Sequence, residues 1–294
     1  MLSSKIKLWL LAARPKTLWA AVSPVIIGTA FAYDDGGFHF PSAFLALFGA
    51  VLIQIGTNFA NDYHDHKKGA DTGERKGPVR VTQAGLIDPE NVKRAYMLVF
   101  FLALLSGLYL IYRGGIPVLA IGLLSIMFGI LYTAGPYPLG YHGLGDVFVL
   151  IFFGPVAVGG TYYVQTLDMT YPVLIMGFAP GLISNAILTV NNLRDIDTDK
   201  KTGKRTLAVR FGAGFAKVEY AVSMLIAFLI PVILYVVFRE NLFTILASAV
   251  LIPVIPVIKK VFIEKEGEKL NHVLAQTGKI LLIYSIIFSV TLQI

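Results

Sequence analysis

The sequence contains no cysteine and few charged residues. Of its 294 residues, 15% are charged and two are tryptophan. The absence of cysteine excludes disulfides, thiolate metal sites and cysteine nucleophiles. The chain also lacks a phosphate loop of the nucleotide-hydrolase kind, a glycine-rich dinucleotide fingerprint and a serine elbow. The sequence therefore gives no support to nucleotide hydrolysis, dinucleotide binding or serine hydrolysis.

Hydrophobic residues dominate the chain instead. They make up 56% of it and the mean hydropathy is +0.70, which is typical of a membrane protein. Nine mostly apolar runs are each long enough to cross a bilayer as a helix. The sequence predicts an all-α, polytopic membrane protein, a nine-helix bundle with cytoplasmic cap loops, forming one domain over residues 1–294. The predicted spans are 16–33, 42–61, 92–112, 116–134, 146–164, 172–192, 215–238, 242–262 and 273–293.

Lysine and arginine predict the orientation of this bundle. If the spans alternate from a cytoplasmic N-terminus, every basic residue except Arg113 and Arg239 falls on one side. Because basic loops stay in the cytoplasm, that side is predicted to be the cytoplasmic face of the plasma membrane. The net charge of +7 is explained by topology and anionic lipid, so no nucleic-acid partner is expected. Residues 3–13 are predicted to form a short interfacial helix.

Two polar blocks stand at the cytoplasmic ends of the second and sixth predicted spans. Both mix carboxylates, amides and cations, which is unusual in so apolar a chain. The first block contains Asn58, Asn61, Asp62, Asp65, Lys67, Lys68, Gly69 and Asp71, and the second contains Asn192, Arg194, Asp195, Asp197, Asp199, Lys200, Lys201, Gly203, Lys204 and Arg205.

The two blocks form a weak internal repeat. Asp65 and Gly69 have the same spacing as Asp199 and Gly203. The two spans run in the same direction through the bilayer, so a bundle can bring their ends face to face across a cavity. The alignment that follows from the shared spacing pairs Asn58 with Asn192, Asn61 with Asp195 and Asp65 with Asp199.

The spacing of three and four residues predicts that the oxygen-bearing side chains of each block share one helix face. Magnesium prefers oxygen ligands and is typically held by one or two carboxylates together with substrate phosphates. The blocks therefore predict a site for Mg²⁺ and a diphosphate. The residues that the alignment singles out as metal ligands are Asn61, Asp65, Asp195 and Asp199, with Asn58 and Asn192 beside them as substrate-binding residues.

Basic residues near both blocks fit the same ligand, since lysine and arginine bind phosphate oxygens and arginine does so with a planar fork. The alternative is that each is a solvated, lipid-facing base. The candidates for diphosphate binding are Lys67, Lys68, Arg75, Arg80, Lys204 and Arg205.

With these residues in place, the chain resembles the UbiA superfamily of intramembrane prenyltransferases over essentially its whole length. The stretches that carry the resemblance are 13–18, 61–65, 77–80, 191–195 and 199–210. Residues 132–139 and 143–146 look most like the 1,4-dihydroxy-2-naphthoate polyprenyltransferase branch, which serves menaquinone synthesis. Many superfamily members carry a third acid in the first motif where this chain has Gly69. That departure leaves the role of Asp71 open. The sequence does not predict the roles of Asp62, Asp146 and Asp197 either.

The resemblance implies a nine-helix bundle, magnesium dependence, a polyprenyl diphosphate donor and an aromatic acceptor. On this interpretation Asp65 and Asp199 are catalytic through the metal. The ring of Tyr132 or Tyr63 stabilises the allylic cation, with Tyr132 as the preferred candidate. Arg14 or Lys16, at the start of the first span, is predicted to bind the carboxylate of the acceptor. The implied reaction prenylates 1,4-dihydroxy-2-naphthoate with loss of carbon dioxide and gives demethylmenaquinol.

Other readings stay open on the sequence alone. Homogentisate, 4-hydroxybenzoate or a glycerol phosphate lipid are alternative acceptors. The two motifs cannot distinguish among them, because they are predicted to bind only the diphosphate of the donor. A secondary transporter is the rival from another class, although transporters place their ions near the membrane midplane rather than at helix ends. Prenyl length and oligomeric state are not predicted.

Overall fold

A computed structural model describes residues 4–70, 76–264 and 266–294. Every regular element within those ranges is helical, which confirms the predicted all-α class. Short 3₁₀ or π segments occupy Pro15–Thr17, Leu139–Tyr141, Leu234–Phe238 and Leu242–Val250. The α-helices are α1 (Ser4–Ala13), α2 (Trp19–Asp34), α3 (Phe40–Lys67), α4 (Pro89–Leu131), α5 (Gly145–Phe152), α6 (Pro155–Thr166), α7 (Tyr171–Arg194), α8 (Ile196–Lys201), α9 (Leu207–Ile233), α10 (Leu251–Ile263) and α11 (Gly267–Leu292).

Within the described residues, seven helical segments are long and apolar enough to cross a bilayer. An eighth results if α1 and α2, which meet at 52°, count as one bent span. The protein is therefore a multi-pass membrane protein. The short helix predicted before the first span is confirmed as α1.

The predicted third and fourth spans both fall on α4, which runs for 43 residues. A straight helix of that length would measure about 65 Å, roughly twice the hydrocarbon thickness of a bilayer. Gly115 breaks α4, with φ 69° and ψ −152°, a conformation that favours glycine. The break separates one arm that ends near residue 114 from a second arm that leads to the functional site.

Three separate apolar clusters form the core, and two of them include the helices that carry the polar blocks. The larger one is centred on α7 and joins it to α2, α9, α10 and α11. The smaller one packs α1 against α3 and α4, and it includes Val81 from the following loop. The first polar block belongs to the smaller cluster through α3, and the second belongs to the larger cluster through α7. A cavity lies between these two halves of the bundle.

Candidate active site

The two polar blocks face each other, as the repeat predicts. Lys204 lies between them, with its Nζ 3.7 Å from Oδ2 of Asp65 and 3.9 Å from Oδ1 of Asp199. Asp65 is 2% exposed and Asp199 is 8% exposed. One lysine thus bridges the carboxylates that the sequence paired by position.

The two blocks also share a backbone conformation, which occurs at Gly69 and at Gly203. Gly69 and Gly203 both have positive φ, at 65° and 77°. The amide that follows each glycine donates a 2.9 Å hydrogen bond to the carbonyl of the aspartate five residues earlier, from Ala70 to Asp65 and from Lys204 to Asp199. This Schellman ending closes both helices in the same way. The internal repeat is therefore present in three dimensions as well as in sequence.

Asp65 lies in the last turn of α3 and is surrounded by donors. Its Oδ2 accepts a 3.1 Å hydrogen bond from Nη2 of Arg80, and its Oδ1 accepts one of 2.8 Å from the Tyr141 hydroxyl. Asn61, one turn earlier, accepts a 3.0 Å hydrogen bond from the Thr133 hydroxyl. The donors come from the loops after α3 and α4, which thereby hold the first block in place.

The second block departs from the expected helical stripe. α7 ends at Arg194 and α8 begins at Ile196, so Asp195 stands at a break with φ −96° and ψ 8°. The prediction that residues 192–199 share one helix is wrong. Arg194, which is 2% exposed, binds both carboxylate oxygens of Asp195 and also Asn271 of α11 at 2.8 Å. These buried contacts stabilise the break between α7 and α8 and orient the carboxylate of Asp195.

Two of the acids whose roles the sequence left open, Asp62 and Asp197, have clearly different surroundings. Asp62 is 1% exposed and accepts hydrogen bonds from the amides of Val81 and Thr82 and from the Thr82 hydroxyl at 2.6 Å. It anchors the loop that carries Arg80. Asp197 is exposed and contacts Lys76 at 3.1 Å.

Not all of the predicted phosphate-binding cations line the cavity. Arg80 and Lys204 line it, as does Arg14, which is a candidate for binding the acceptor's carboxylate. Lys67 and Arg205 are exposed and are not among its lining residues, so the structure does not bring them to the site. Arg75, like Asp71, lies outside the described residues.

Lys68 is exposed and is not a lining residue, and its Nζ donates to the carbonyl oxygen of Gly135 at 2.9 Å. Partial desolvation and the charge of Lys204 lower the pKa of Lys68, while Asp65 opposes the shift. Lys68 therefore loses its charge more readily than an ordinary lysine.

Tyr141 is a site residue that sequence reasoning missed. Besides its hydrogen bond to Asp65, its ring lies 5.1 Å from Nζ of Lys68 and 4.7 Å from Nζ of Lys204. Both distances suit a cation-π contact. The residue belongs to the 3₁₀ turn Leu139–Tyr141, and its place beside Asp65 depends on packing that no local spacing reveals.

Tyr132, at the end of α4, is held between two glycines. A Cβ at Gly140 would lie 2.8 Å from its ring, and one at Gly145 would lie 2.7 Å from its hydroxyl. Only glycine permits so close an approach. Tyr132 lines the same cavity as the carboxylates.

The two aligned asparagines have different surroundings. Nδ2 of Asn58 donates to the carbonyl oxygen of Ala13 at 2.9 Å and to the Thr17 hydroxyl at 3.1 Å. Asn58 thus ties α3 to the turn that carries Arg14, whose φ of 51° is unusual for a non-glycine residue. Asn192 is 8% exposed and lines the cavity.

The cavity extends far beyond the polar groups. It has a volume of about 450 Å³ and is lined by residues of α2 to α7. On α3 its lining runs from Asp65 back to Leu45, which corresponds to about 30 Å of helix. A small apolar cluster that includes Leu110, Val118 and Val164 closes the far end. The site is therefore a charged mouth on a long apolar chamber.

Within the described residues, no group of three or more histidine, cysteine or acidic side chains is close enough to hold a metal ion by itself. The donor set still fits magnesium. Asp65 and Asp199 present carboxylate oxygens to one cavity from opposite sides, and Mg²⁺ commonly takes its remaining ligands from water and substrate phosphates. The cations beside these acids suit the same phosphates.

Comparison with known proteins identifies a family model and relatives that match this chain. A model of the UbiA prenyltransferase family matches residues 21–283. The 1,4-dihydroxy-2-naphthoate octaprenyltransferase of Haemophilus influenzae is 38% identical over 306 residues, covering 100% of this chain and 98% of the relative. The protein of the same name from Escherichia coli is 41% identical over 241 residues, covering 80% and 78%.

Solved structures share the fold. A UbiA homolog from Archaeoglobus fulgidus, bound to GPP and Mg²⁺, superposes with a TM-score of 0.69 at 16% identity and covers 98% of this chain and 100% of its own. The apo structure of a UbiA homolog from Aeropyrum pernix gives a TM-score of 0.68 at 13% identity, with 99% and 98% covered. With the family model and the close relatives, these likenesses lead to one conclusion: the chain belongs to the UbiA prenyltransferase family.

Proposed function

We propose that this protein transfers a polyprenyl group from a prenyl diphosphate to 1,4-dihydroxy-2-naphthoate, with loss of carbon dioxide, and gives demethylmenaquinol. The observation that carries the proposal is the meeting of two acidic helix ends at the polar mouth of a long apolar cavity. Relatives at 38% and 41% identity carry the name of this activity and support the choice of acceptor.

The chain's own residues divide the work of donor binding. Asp65 and Asp199, with Asn61 and Asp195 beside them, are the groups that would hold Mg²⁺. When bound, the metal supplies Lewis-acid stabilisation of the departing diphosphate. Arg80 and Lys204 are poised to neutralise the remaining phosphate charge, since both line the cavity beside Asp65.

The prenyl chain occupies the apolar chamber. Its allylic carbon–oxygen bond breaks at the mouth, and the bonding electrons leave with the diphosphate. A new carbon–carbon bond forms to the ring carbon that bears the carboxylate, and the electrons of the departing carbon dioxide restore aromaticity. Tyr132 stabilises the allylic cation with its ring, and Arg14 binds the acceptor's carboxylate. Asn192 lines the donor's path beside the acids, while Asn58 positions the turn that carries Arg14.

The architecture supports a single domain with nine crossings. α4 counts as two spans because Gly115 divides it, and the bent pair of α1 and α2 supplies one more. The charge bias supports a mouth on the cytoplasmic side of the plasma membrane. Lys67, at the end of α3, and Lys68 and Arg205, in the loops after α3 and α8, would then lie on the cytoplasmic side.

Replacement of Tyr132 tests the role of its ring. Tyr132→Phe is expected to keep kcat within about threefold, whereas Tyr132→Leu lowers kcat roughly thirtyfold, because a desolvated cation-π contact contributes about 2 kcal/mol. The measurement is initial velocity at saturating donor and acceptor. If the phenylalanine variant is as slow as the leucine variant, the hydroxyl rather than the ring is needed and this role is wrong.

The chamber predicts a dependence on donor length. Gly122 lines it ten residues before Tyr132, about 15 Å along the second arm of α4, and a Cβ there meets open space. Gly122→Leu is expected to raise KM for long-chain donors about tenfold, the cost of excluding about two methylenes at about 0.8 kcal/mol each. KM for a geranyl donor stays unchanged.

A matched control is Gly214→Leu, because Gly214 is exposed on α9 and lies outside the cavity. KM for donors of all lengths should be unaffected in this variant. An equal rise for short and long donors in Gly122→Leu would show that the tail does not occupy this chamber.

The acceptor is tested directly. Purified protein is incubated with Mg²⁺, a labelled polyprenyl diphosphate and a panel that contains 1,4-dihydroxy-2-naphthoate, homogentisate and 4-hydroxybenzoate. Mass analysis should find one prenylated naphthalenediol that lacks the carboxyl group. A product formed only from another acceptor, or one that retains the carboxyl mass, would refute the proposed reaction.

A further inference from the structure

A second, smaller cavity lies on the outside of the bundle, between the start of α2 and α11. It has a volume of about 350 Å³, and its lining residues are Lys16, Trp19, His272, Ala275, Gln276 and Lys279. None of these residues lines the larger cavity. The groove is therefore distinct from the prenyl-transfer site.

Close packing of α11 shapes the groove. A Cβ at Gly278 would lie 3.3 Å from the carbonyl oxygen of Lys16 and 3.6 Å from the Trp19 ring. His272, Gln276 and Lys279 follow at spacings of four and three residues, so they share one face of α11. The groove thus has a defined wall of polar side chains rather than scattered surface charges.

The charged side chains that line the groove are basic. Neither Lys16 nor Lys279 forms an ion pair with a carboxylate within the described residues, and none of the lining residues is acidic. Lys279 belongs to a membrane-spanning helix, where an unpaired cation is costly. An anion in the groove would offset that cost.

The groove also offers partners for the rest of a lipid headgroup. Trp19, which is 36% exposed, stands at the start of the first span, where tryptophan commonly contacts the headgroup region. Oε1 of Gln276 is buried and accepts no hydrogen bond from a described residue, so a headgroup hydroxyl can donate to it.

We propose that this groove binds the phosphate headgroup of an anionic membrane lipid, with Lys16 and Lys279 on the phosphate and Trp19 against the headgroup. The occupant is a bilayer lipid because the groove opens on the outside of the bundle and its lining does not reach the acids of the larger cavity. The site is independent of the proposed reaction. Failure of prenyl transfer in an assay would leave it untouched.

The two tryptophans of the chain allow a direct test. Trp9 of α1 packs on Phe59 of α3, and Trp9→Phe leaves Trp19 as the single tryptophan reporter in the groove. The protein is titrated with brominated phosphatidylglycerol or, as the neutral control, brominated phosphatidylcholine. Quenching of Trp19 should occur at lower concentrations of the anionic lipid.

Adding Lys16→Ala and Lys279→Ala to this reporter should weaken the preference for phosphatidylglycerol about fivefold per lysine, since a lysine near an anionic surface contributes about 1 kcal/mol. Lys259→Ala with Lys260→Ala removes two exposed lysines elsewhere and should leave the preference unchanged. Unchanged thermal melting shows that the variants are folded.

Two results would overturn the proposal. One is equal quenching by both lipids, or a preference that survives removal of Lys16 and Lys279. The other is displacement of the brominated lipid by farnesyl diphosphate at lower concentrations than by unlabelled phosphatidylglycerol, which would assign the groove to the incoming donor instead.

Discussion

Replacing Asp65 or Asp199 by asparagine is expected to lower kcat/KM for prenyl transfer roughly 100- to 1000-fold, the usual cost of removing one preorganised electrostatic group. Each substitution keeps the shape of the side chain and removes its charge. Both carboxylates are buried and share Lys204, so loss of either leaves the mouth with excess positive charge and one fewer metal ligand. The measurement is initial velocity in membranes at saturating Mg²⁺.

Asp197→Asn is the matched control for this experiment. Asp197 lies in the same block, two residues from both Asp195 and Asp199, but its side chain is 72% exposed and contacts only the surface residue Lys76 among the described residues. Exposed ion pairs contribute little, so activity should stay within about twofold of wild type. Wild-type turnover in the Asp65 and Asp199 variants, at equal protein levels, would contradict the proposed catalytic role.

Asp62→Ala is expected to have the largest effect on stability, a loss of about 3 kcal/mol in the free energy of unfolding. The substitution leaves the amides of Val81 and Thr82 and the Thr82 hydroxyl without their acceptor, and each buried unsatisfied group costs about 1–3 kcal/mol. Thermal melting in detergent measures the loss. Activity should fall as well, because the loop held by Asp62 carries Arg80 to Asp65.

Asp88→Ala provides the comparison for Asp62. Asp88 caps α4 by accepting a hydrogen bond from the amide of Glu90 at an exposed position. Loss of such a cap costs typically about 1 kcal/mol. Equal melting temperatures for the two variants would show that the Asp62 contacts do not stabilise the loop.

The sequence could predict those parts of the site that depend on spacing along a helix. Asp65 with Gly69 and Asp199 with Gly203 repeat in sequence, and the same helix ending repeats in structure because glycine is needed where φ is positive. The prediction that the two blocks face each other followed from two spans that run in the same direction through the bilayer. The helix endings depend on local sequence, and the facing of the blocks depends only on the number of membrane crossings between them.

The break at Asp195 could not be predicted in this way. Residues 192–199 keep helical spacing, yet the helix stops where Arg194 turns to bind Asp195 and reaches Asn271, 77 residues further along the chain. A contact of that separation overrides local propensity. Tyr141 was missed for the same reason, because its hydrogen bond to Asp65 depends on how the loop after α4 folds over α3.

The cations show a further limit of sequence patterns. Arg80 and Lys204 line the cavity whereas Lys67 and Arg205 do not, although all four stand in or near the two blocks. Lysine and arginine side chains are long, and their direction is set by the packing of the loops that carry them. Composition can indicate a polyanion site, but the set of residues that reaches the ligand requires the fold.

The central claim, a magnesium–diphosphate clamp formed by both polar blocks, is tested most directly by donor binding without acceptor. Calorimetry measures Kd for a prenyl diphosphate with Mg²⁺ and with EDTA, in the wild type and in Asp65→Asn/Asp199→Asn. The clamp predicts that EDTA weakens wild-type binding about a hundredfold, because a metal ion contributes several kcal/mol at such a site, and that the double variant binds weakly in both conditions. The same Kd for the wild type with Mg²⁺ and with EDTA would contradict it.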